Sequence, residues 1–236
     1  MGKTLIQQAR GKGGPSYRAP TFRNFTSAKL LPINKQFKGK IIDFVKSSAH
    51  SAPMAEVELE DGSTCFMIAP EGIKVGDFMS AGANEPTLGN TLSLKEIPEG
   101  TYVYNIESSP GDGGKFCRTA GSTAKLTTKT ETHATIILPS KKEKLFDLKC
   151  RAIIGTVAGG GRKEKPFLKA GTKHFAKRLK NKRYPMPSGA AQNAVDHPFG
   201  NKRTSRKAKQ RPAPRFAPAG RKVGKLHPRR TGQKKW

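Results

Sequence analysis

The sequence predicts a mainly β protein, with two successive sets of short strands carried between two long basic arms. Three observations make that prediction. Short runs of β-branched and aromatic residues recur from Gly39 to Val157, separated by Gly, Pro and Asp-Gly turns. Charge is segregated along the chain. Residues 1–40 hold nine basic and no acidic residues, residues 41–160 hold 12 basic and 15 acidic, and residues 161–236 hold 24 basic and two acidic. Finally, Gly and Pro interrupt both ends so often that long regular structure is excluded there.

A formal net charge of +28 repels itself strongly unless a polyanion neutralises it. Each Lys or Arg set against a phosphate releases counterions, so tight, salt-dependent binding to nucleic acid is expected. A membrane is not: no apolar run is long enough to cross a bilayer, and Met1–Arg10 carries no signal-peptide pattern. The basic tail also lacks the apolar face of an interfacial helix. Cys65, Cys117 and Cys150 are far apart, odd in number and without a C-x-x-C pair. They fit small buried apolar side chains better than a disulfide framework or a zinc site.

Residues 1–36 form the first arm. Gly11, Gly13, Gly14, Pro15, Pro20 and Pro32 oppose helix there, and Arg10, Lys12, Arg18 and Arg23 alternate with Tyr17, Phe22 and Phe25. Guanidinium and aromatic faces both stack on exposed bases, so this mixture suits folded RNA. The first strand set spans 37–84. Lys40–Val45 is β-branched and aromatic; Glu56–Glu60 alternates, with Val57 and Leu59 on one face. Asp61-Gly62 supplies a tight turn into Ser63–Ala69, and Lys74–Asp77 leads into another short strand. A small antiparallel barrel or sandwich follows from this spacing.

A loop-rich join at Ala81–Asn90 opens the second set, 85–160. Thr101–Glu107 alternates and places Tyr102, Tyr104 and Ile106 on one core-facing side. Ala124–Thr130, Thr132–Leu138, Leu145–Lys149 and Ala152–Val157 complete it. Between strands, Pro110–Arg118 contains Gly113-Gly114-Lys115, but Ser109 and Phe116 stand where a phosphate-binding loop needs Gly and Ser or Thr. Two readings remain: a turn that sets backbone amides, Lys115 and Arg118 against an RNA backbone, and a loop that only reverses the chain.

The second arm, 161–236, starts with Arg162 and Lys163 after a glycine run. Lys169–Arg183, including Lys173, can form one short basic helix around Phe175 and Leu179. This arm carries one unusual stretch, Asn193-Ala194-Val195-Asp196-His197-Pro198-Phe199-Gly200, followed by Lys202 and Arg203. Asp196 beside His197 invites a catalytic reading, but neighbours in sequence seldom face each other well and no nucleophile has a supporting motif. The alternative is a turn that Asp196 caps and Pro198 stiffens, with His197 and Phe199 set against RNA.

With those residues named, the chain resembles a known family: the universal second protein of the large ribosomal subunit, in its archaeal and eukaryotic form. The resemblance rests on Arg10–Gly13, Tyr17–Pro20, Met67–Asp77, Gly89-Asn90, Ile97–Thr101, Pro110–Gly121, Cys150–Gly155 and Asn193–Gly200, in that order. It implies an OB-type barrel followed by an SH3-like barrel. It also implies a structural rRNA-binding protein of the cytoplasmic ribosome, with other large-subunit proteins, the small subunit and the tRNA region as neighbours. No cofactor is implied; magnesium ions bridging protein and rRNA are compatible with it. In that family the loop matching 193–200 reaches toward the peptidyl transferase region, whose chemistry belongs to RNA, and His197 matches its histidine. The chain departs from the family pattern in three places: Phe199 replaces a second histidine, Asn201-Lys202-Arg203 interrupts the glycines, and Tyr184–Gly189 has little of the expected Arg-Gly-Val approach to the loop. The remaining alternatives are a free RNA-binding or chaperone protein and an enzyme built on Asp196 and His197.

Overall fold

The structure is a computed structural model that describes residues 2–18, 24–33, 36–48, 50–82, 85–162, 164–201, 213–214 and 216–224. Its contacts divide the chain into two units, Thr21–Leu168 and a second made of Met1–Pro20 with Lys169–Trp236.

The first unit is a ten-stranded sheet that curves around two cores. Its strands are β1 (Phe37–Val45), β2 (Met54–Leu59), β3 (Thr64–Ile68), β4 (Phe78–Ala81), β5 (Thr91–Ser93), β6 (Tyr102–Tyr104), β7 (Ala124–Lys129), β8 (His133–Ile137), β9 (Glu143–Asp147) and β10 (Arg151–Ile154). The spatial order is β3-β2-β1-β4-β5-β10-β6-β7-β8-β9. Every pairing is antiparallel except β4 with β5, a single parallel pair at Ala81 and Thr91 that joins the halves.

Val57 and Leu59 are buried, as the alternation predicts, together with Met54 and Ala55. The turn into β3 is wider than the dipeptide suggests. The Leu59 amide donates to Ser63 O at 2.9 Å and the Gly62 amide to Leu59 O at 3.0 Å, so residues 60–62 form a three-residue loop. Of Asp61 and Gly62, only Gly62 takes positive φ, at 73°. The first core collects Ile41, Met54, Val57, Met67, Ile68 and Met79, and Ala28 and Leu30 of the lead-in close one side of it. The second core collects Leu92, Leu94, Ile97, Leu126, Ile136 and Phe146.

β6 and β10 lie between the two cores, and this corrects one expectation. Tyr102, Tyr104 and Ile106 do not form a single buried face. Tyr102 is exposed; Val103 enters the second core and Tyr104 the first, where its hydroxyl donates to Ile68 O at 2.9 Å. Asn105 takes positive φ, 50°, which ends the period-two pattern and returns Ile106 to the second core. β10 does the same, with Ile153 in the first core and Ala152 and Ile154 in the second. Cys150 is buried in the second core, while Cys65 packs at the margin of the first and Cys117 at the margin of both. Burial pushes the Cys117 and Cys150 thiols up to about 11, which keeps both protonated and unreactive near neutrality.

In the second unit the described regular elements are α1 (Ile6–Ala9), α2 (Ala170–Arg178) and a 3₁₀ turn at Gly189–Ala191. α1 is a single turn that the sequence did not announce; it ends before Gly11, where the breakers begin. Among the described residues of this unit, only Leu5 and Ala213 are buried apolar side chains, and α2 buries none of its residues. Such a unit gains little from hydrophobic burial.

Candidate nucleic-acid interface

The 193–200 stretch folds into a compact local turn. The Asn193 carbonyl accepts from the amides of Asp196 and His197, each at 3.0 Å. The Gly200 amide donates to His197 O at 2.9 Å, and the Asn201 amide returns to Gln192 O at 2.9 Å. Gly200 is required for this closure, because a Cβ there would run into the carbonyls of Asn193 and Gln192. The Lys3 amide donates to Val195 O at 2.8 Å, so the start of the described chain runs beside the turn.

The cap is supplied by a different residue from the one the sequence suggests. It is His197, not Asp196, whose side chain holds the turn: its Nδ1 accepts the Phe199 amide at 3.0 Å. Its ring lies 5.2 Å from the Phe199 ring and against Gly189, where a Cβ would strike it. Burial holds the imidazole below its ordinary value. An Nδ1 that accepts a backbone N–H also has no room for a proton, which leaves Nε2 carrying it. Among the described residues, no hydrogen bond joins the Asp196 carboxylate to this ring. A carboxylate-imidazole dyad is therefore not what the local fold builds.

The basic residues named from the sequence occupy several places. Arg10 lies over the Tyr17 ring at 5.9 Å, and Lys12 and Arg18 are exposed nearby. Lys169 stands at the N-cap position of α2, and Lys173 lies over the Tyr184 ring at 5.3 Å. Arg162, in the first unit, is exposed and donates to Ser51 O at 3.4 Å. Arg23, Lys163, Lys202 and Arg203 lie outside the described residues.

The glycine-rich turn at 107–118 is occupied from within. The Asp112 carboxylate accepts the amides of Ser108 at 2.9 Å, Gly114 at 3.0 Å and Ser109 at 3.2 Å, and pairs with Lys115 at 3.2 Å. Burial works to raise its pKa, but those donors outweigh it and leave the carboxyl below its ordinary value. Fully buried Glu107 accepts from the Gly113 amide at 3.3 Å. It also takes the Arg151 amide at 2.9 Å and the Arg151 guanidinium at 2.7 and 3.3 Å. Arg118 is half-buried and donates to the carbonyls of Gly114 and Ala28. Of the cations here, Lys115 is the exposed one, with 62% of its side chain accessible. The backbone donors that could cradle an external phosphate already hold carboxylates of the chain itself.

Sequence reasoning did not find the meeting of residues 15–18 with the end of α2. Asn181 takes positive φ, 46°, and the Lys182 amide returns to Lys177 O at 2.9 Å while the Asn181 amide donates to Arg178 O at 3.1 Å. That is a Schellman ending. It aims the Asn181 amide group at two carbonyls, Arg18 O at 2.6 Å and Pro15 O at 3.3 Å. The available signal was an Asn near the end of the predicted basic helix, which stops at Arg178, short of the expected Arg183.

The model of the family described as Ribosomal Proteins L2, C-terminal domain, matches residues 87–218. Archaeal relatives match nearly the whole chain. A large ribosomal subunit protein uL2 of Archaeoglobus fulgidus is 47% identical over 98% of this chain and 99% of its own length. The protein of the same name from Methanobrevibacter smithii is 44% identical over 100% of both, and that from Halorubrum lacusprofundi 46% identical over 99% and 98%. With mainly β architecture around two cores, as the OB-type and SH3-like expectation requires, and a match that runs end to end, the chain belongs to the ribosomal protein L2 family.

Proposed function

We propose that this chain is a structural constituent of the large ribosomal subunit that binds large-subunit rRNA directly and performs no chemistry of its own. The observation that carries the reading is the second unit. It combines the chain's densest positive charge with only two buried apolar residues among those described, Leu5 and Ala213. Apolar burial of that size cannot offset the ordering of so many residues, and phosphates that neutralise the cations can.

The β unit serves as the anchor and the second unit lies against RNA helices, with magnesium ions bridging some contacts. The turn at 193–200 lies toward the peptidyl transferase region, with His197 and Phe199 against RNA, and supports tRNA binding and association with the small subunit. Other large-subunit proteins are its neighbours in the cytoplasmic ribosome. Here His197 acts as a neutral donor through Nε2 and not as a base, because Nδ1 is already engaged.

The test is co-sedimentation in cell extract. The protein is expected with large subunits after a high-salt wash, and crosslinked RNA is expected to be large-subunit rRNA. Recovery in the free fraction alone, with mixed RNAs attached, would support a free RNA-binding protein instead. Removal of 161–236 is expected to leave the β unit folded and to flatten the salt dependence of RNA binding.

A further inference from the structure

We propose that the Schellman ending of α2 and the segment 15–18 together build a pocket for one unpaired nucleotide of RNA. The inference rests on the rRNA-binding reading and goes further in naming a site and a ligand. The cavity measures about 290 Å³ and is lined by Tyr17, His174, Arg178, Lys182, Arg183 and Tyr184, among others. Among the described residues, no Asp or Glu lines it. Three cations beside two phenol rings and an imidazole suit a ligand that is at once flat, aromatic and anionic. A nucleotide is that ligand: its phosphate meets the cations and its base stacks on the rings.

The pocket is shaped by the bonds of Asn181 and by the turn at residues 14–18. Asn181, fixed in the left-handed conformation by the helix ending, grips the carbonyls of Pro15 and Arg18 and so brings Tyr17 to the end of α2. The amides of Tyr17 and Arg18 both return to Gly14 O, at 3.0 and 3.1 Å, which makes the tyrosine part of a tight turn. Arg10 and Lys173 lie over the Tyr17 and Tyr184 rings at 5.9 and 5.3 Å and steady both. A cavity of this size holds one nucleotide and not a duplex, so the site requires a base that has left its stack.

The experiment uses the full chain and two RNA hairpins, one with a single bulged adenosine and one with an abasic residue at that place. Salt is set so that binding through phosphates is weakened and still measurable. The intact protein should prefer the bulged base about tenfold. Tyr17→Leu with Tyr184→Leu should erase that preference and leave the abasic hairpin bound as before. Tyr17→Phe with Tyr184→Phe should keep it, which separates lost stacking from lost folding. Lys182→Ala with Arg183→Ala should weaken both hairpins and lower the salt slope by about two. Equal affinity of the intact protein for the two hairpins overturns the pocket, as does a preference that survives the leucine pair. If neither hairpin is bound, the RNA-binding reading itself fails. Millimolar AMP should leave the preference intact; if it abolishes the preference, the ligand is a free nucleotide and the assignment to RNA is wrong.

Discussion

Replacing Glu107 with Gln tests how the glycine-rich turn is tied to the second core. Glu107 has no exposed surface, and the Arg151 side chain that grips it is 11% exposed. Gln is nearly isosteric, so no cavity opens. What changes is that the guanidinium stays buried without its counter-charge. Breaking a buried pair from one side costs about 3–5 kcal/mol. For a unit of this size each kcal/mol moves the midpoint about 2–4 °C, so a fall of about 6–20 °C is expected. Thermal unfolding of the full chain, followed by circular dichroism in the β region, measures it. Amide hydrogen exchange supplies a local readout, because Gly113 donates to the same carboxylate and residues 108–114 should exchange faster. A Glu107→Gln protein within about 1 kcal/mol of the parent, with unchanged exchange in that turn, would show that the pair is not what fixes it.

Tyr104→Phe removes only the hydroxyl that reaches Ile68 O, so it should cost about 1 kcal/mol in urea unfolding with an unchanged slope. His197 should titrate by NMR with a midpoint below 6.5. Because the folded value lies below the unfolded one, the turn's contribution is complete above pH 6.5 and is lost as pH falls through the folded value, when protonation of Nδ1 ejects the Phe199 amide. A midpoint at or above 6.5 would contradict that bond. Gly200→Ala should open the 193–200 turn, because the obstacle is backbone and not a movable side chain. Loss of protection at the amides of positions 200 and 201 is the measurement, and native protection in the variant would refute the geometry.

Much of the β unit was legible because its strands obey simple period-two rules. Val57 and Leu59 follow theirs, and so does the Asp61-Gly62 turn in outline. The failures have local causes. β5 is three residues long, too short to show a period, and β6 sits between two cores, where neither face is polar and alternation carries no information. A left-handed Asn105 then changes which residues face inward, and nothing in single-residue preference separates it from Asn in an ordinary loop.

The candidate site divides in the same way, between what charge reveals and what hydrogen bonds decide. Segregated charge shows which part of the chain would attract a polyanion, because long-range electrostatics depends on count and placement. It does not show which of those cations are already engaged within the fold. Arg118 reads as an RNA contact in sequence, and in the structure it donates to two carbonyls of its own unit, while Asp112 fills the amide nest of the glycine-rich turn. Arg178, Lys182 and Arg183 look like members of an undifferentiated run, yet the helix ending gathers them around one cavity with two tyrosines. In a chain this basic, sequence locates the densest positive charge, and which of its side chains stand together is set by backbone turns such as the one at Asn181.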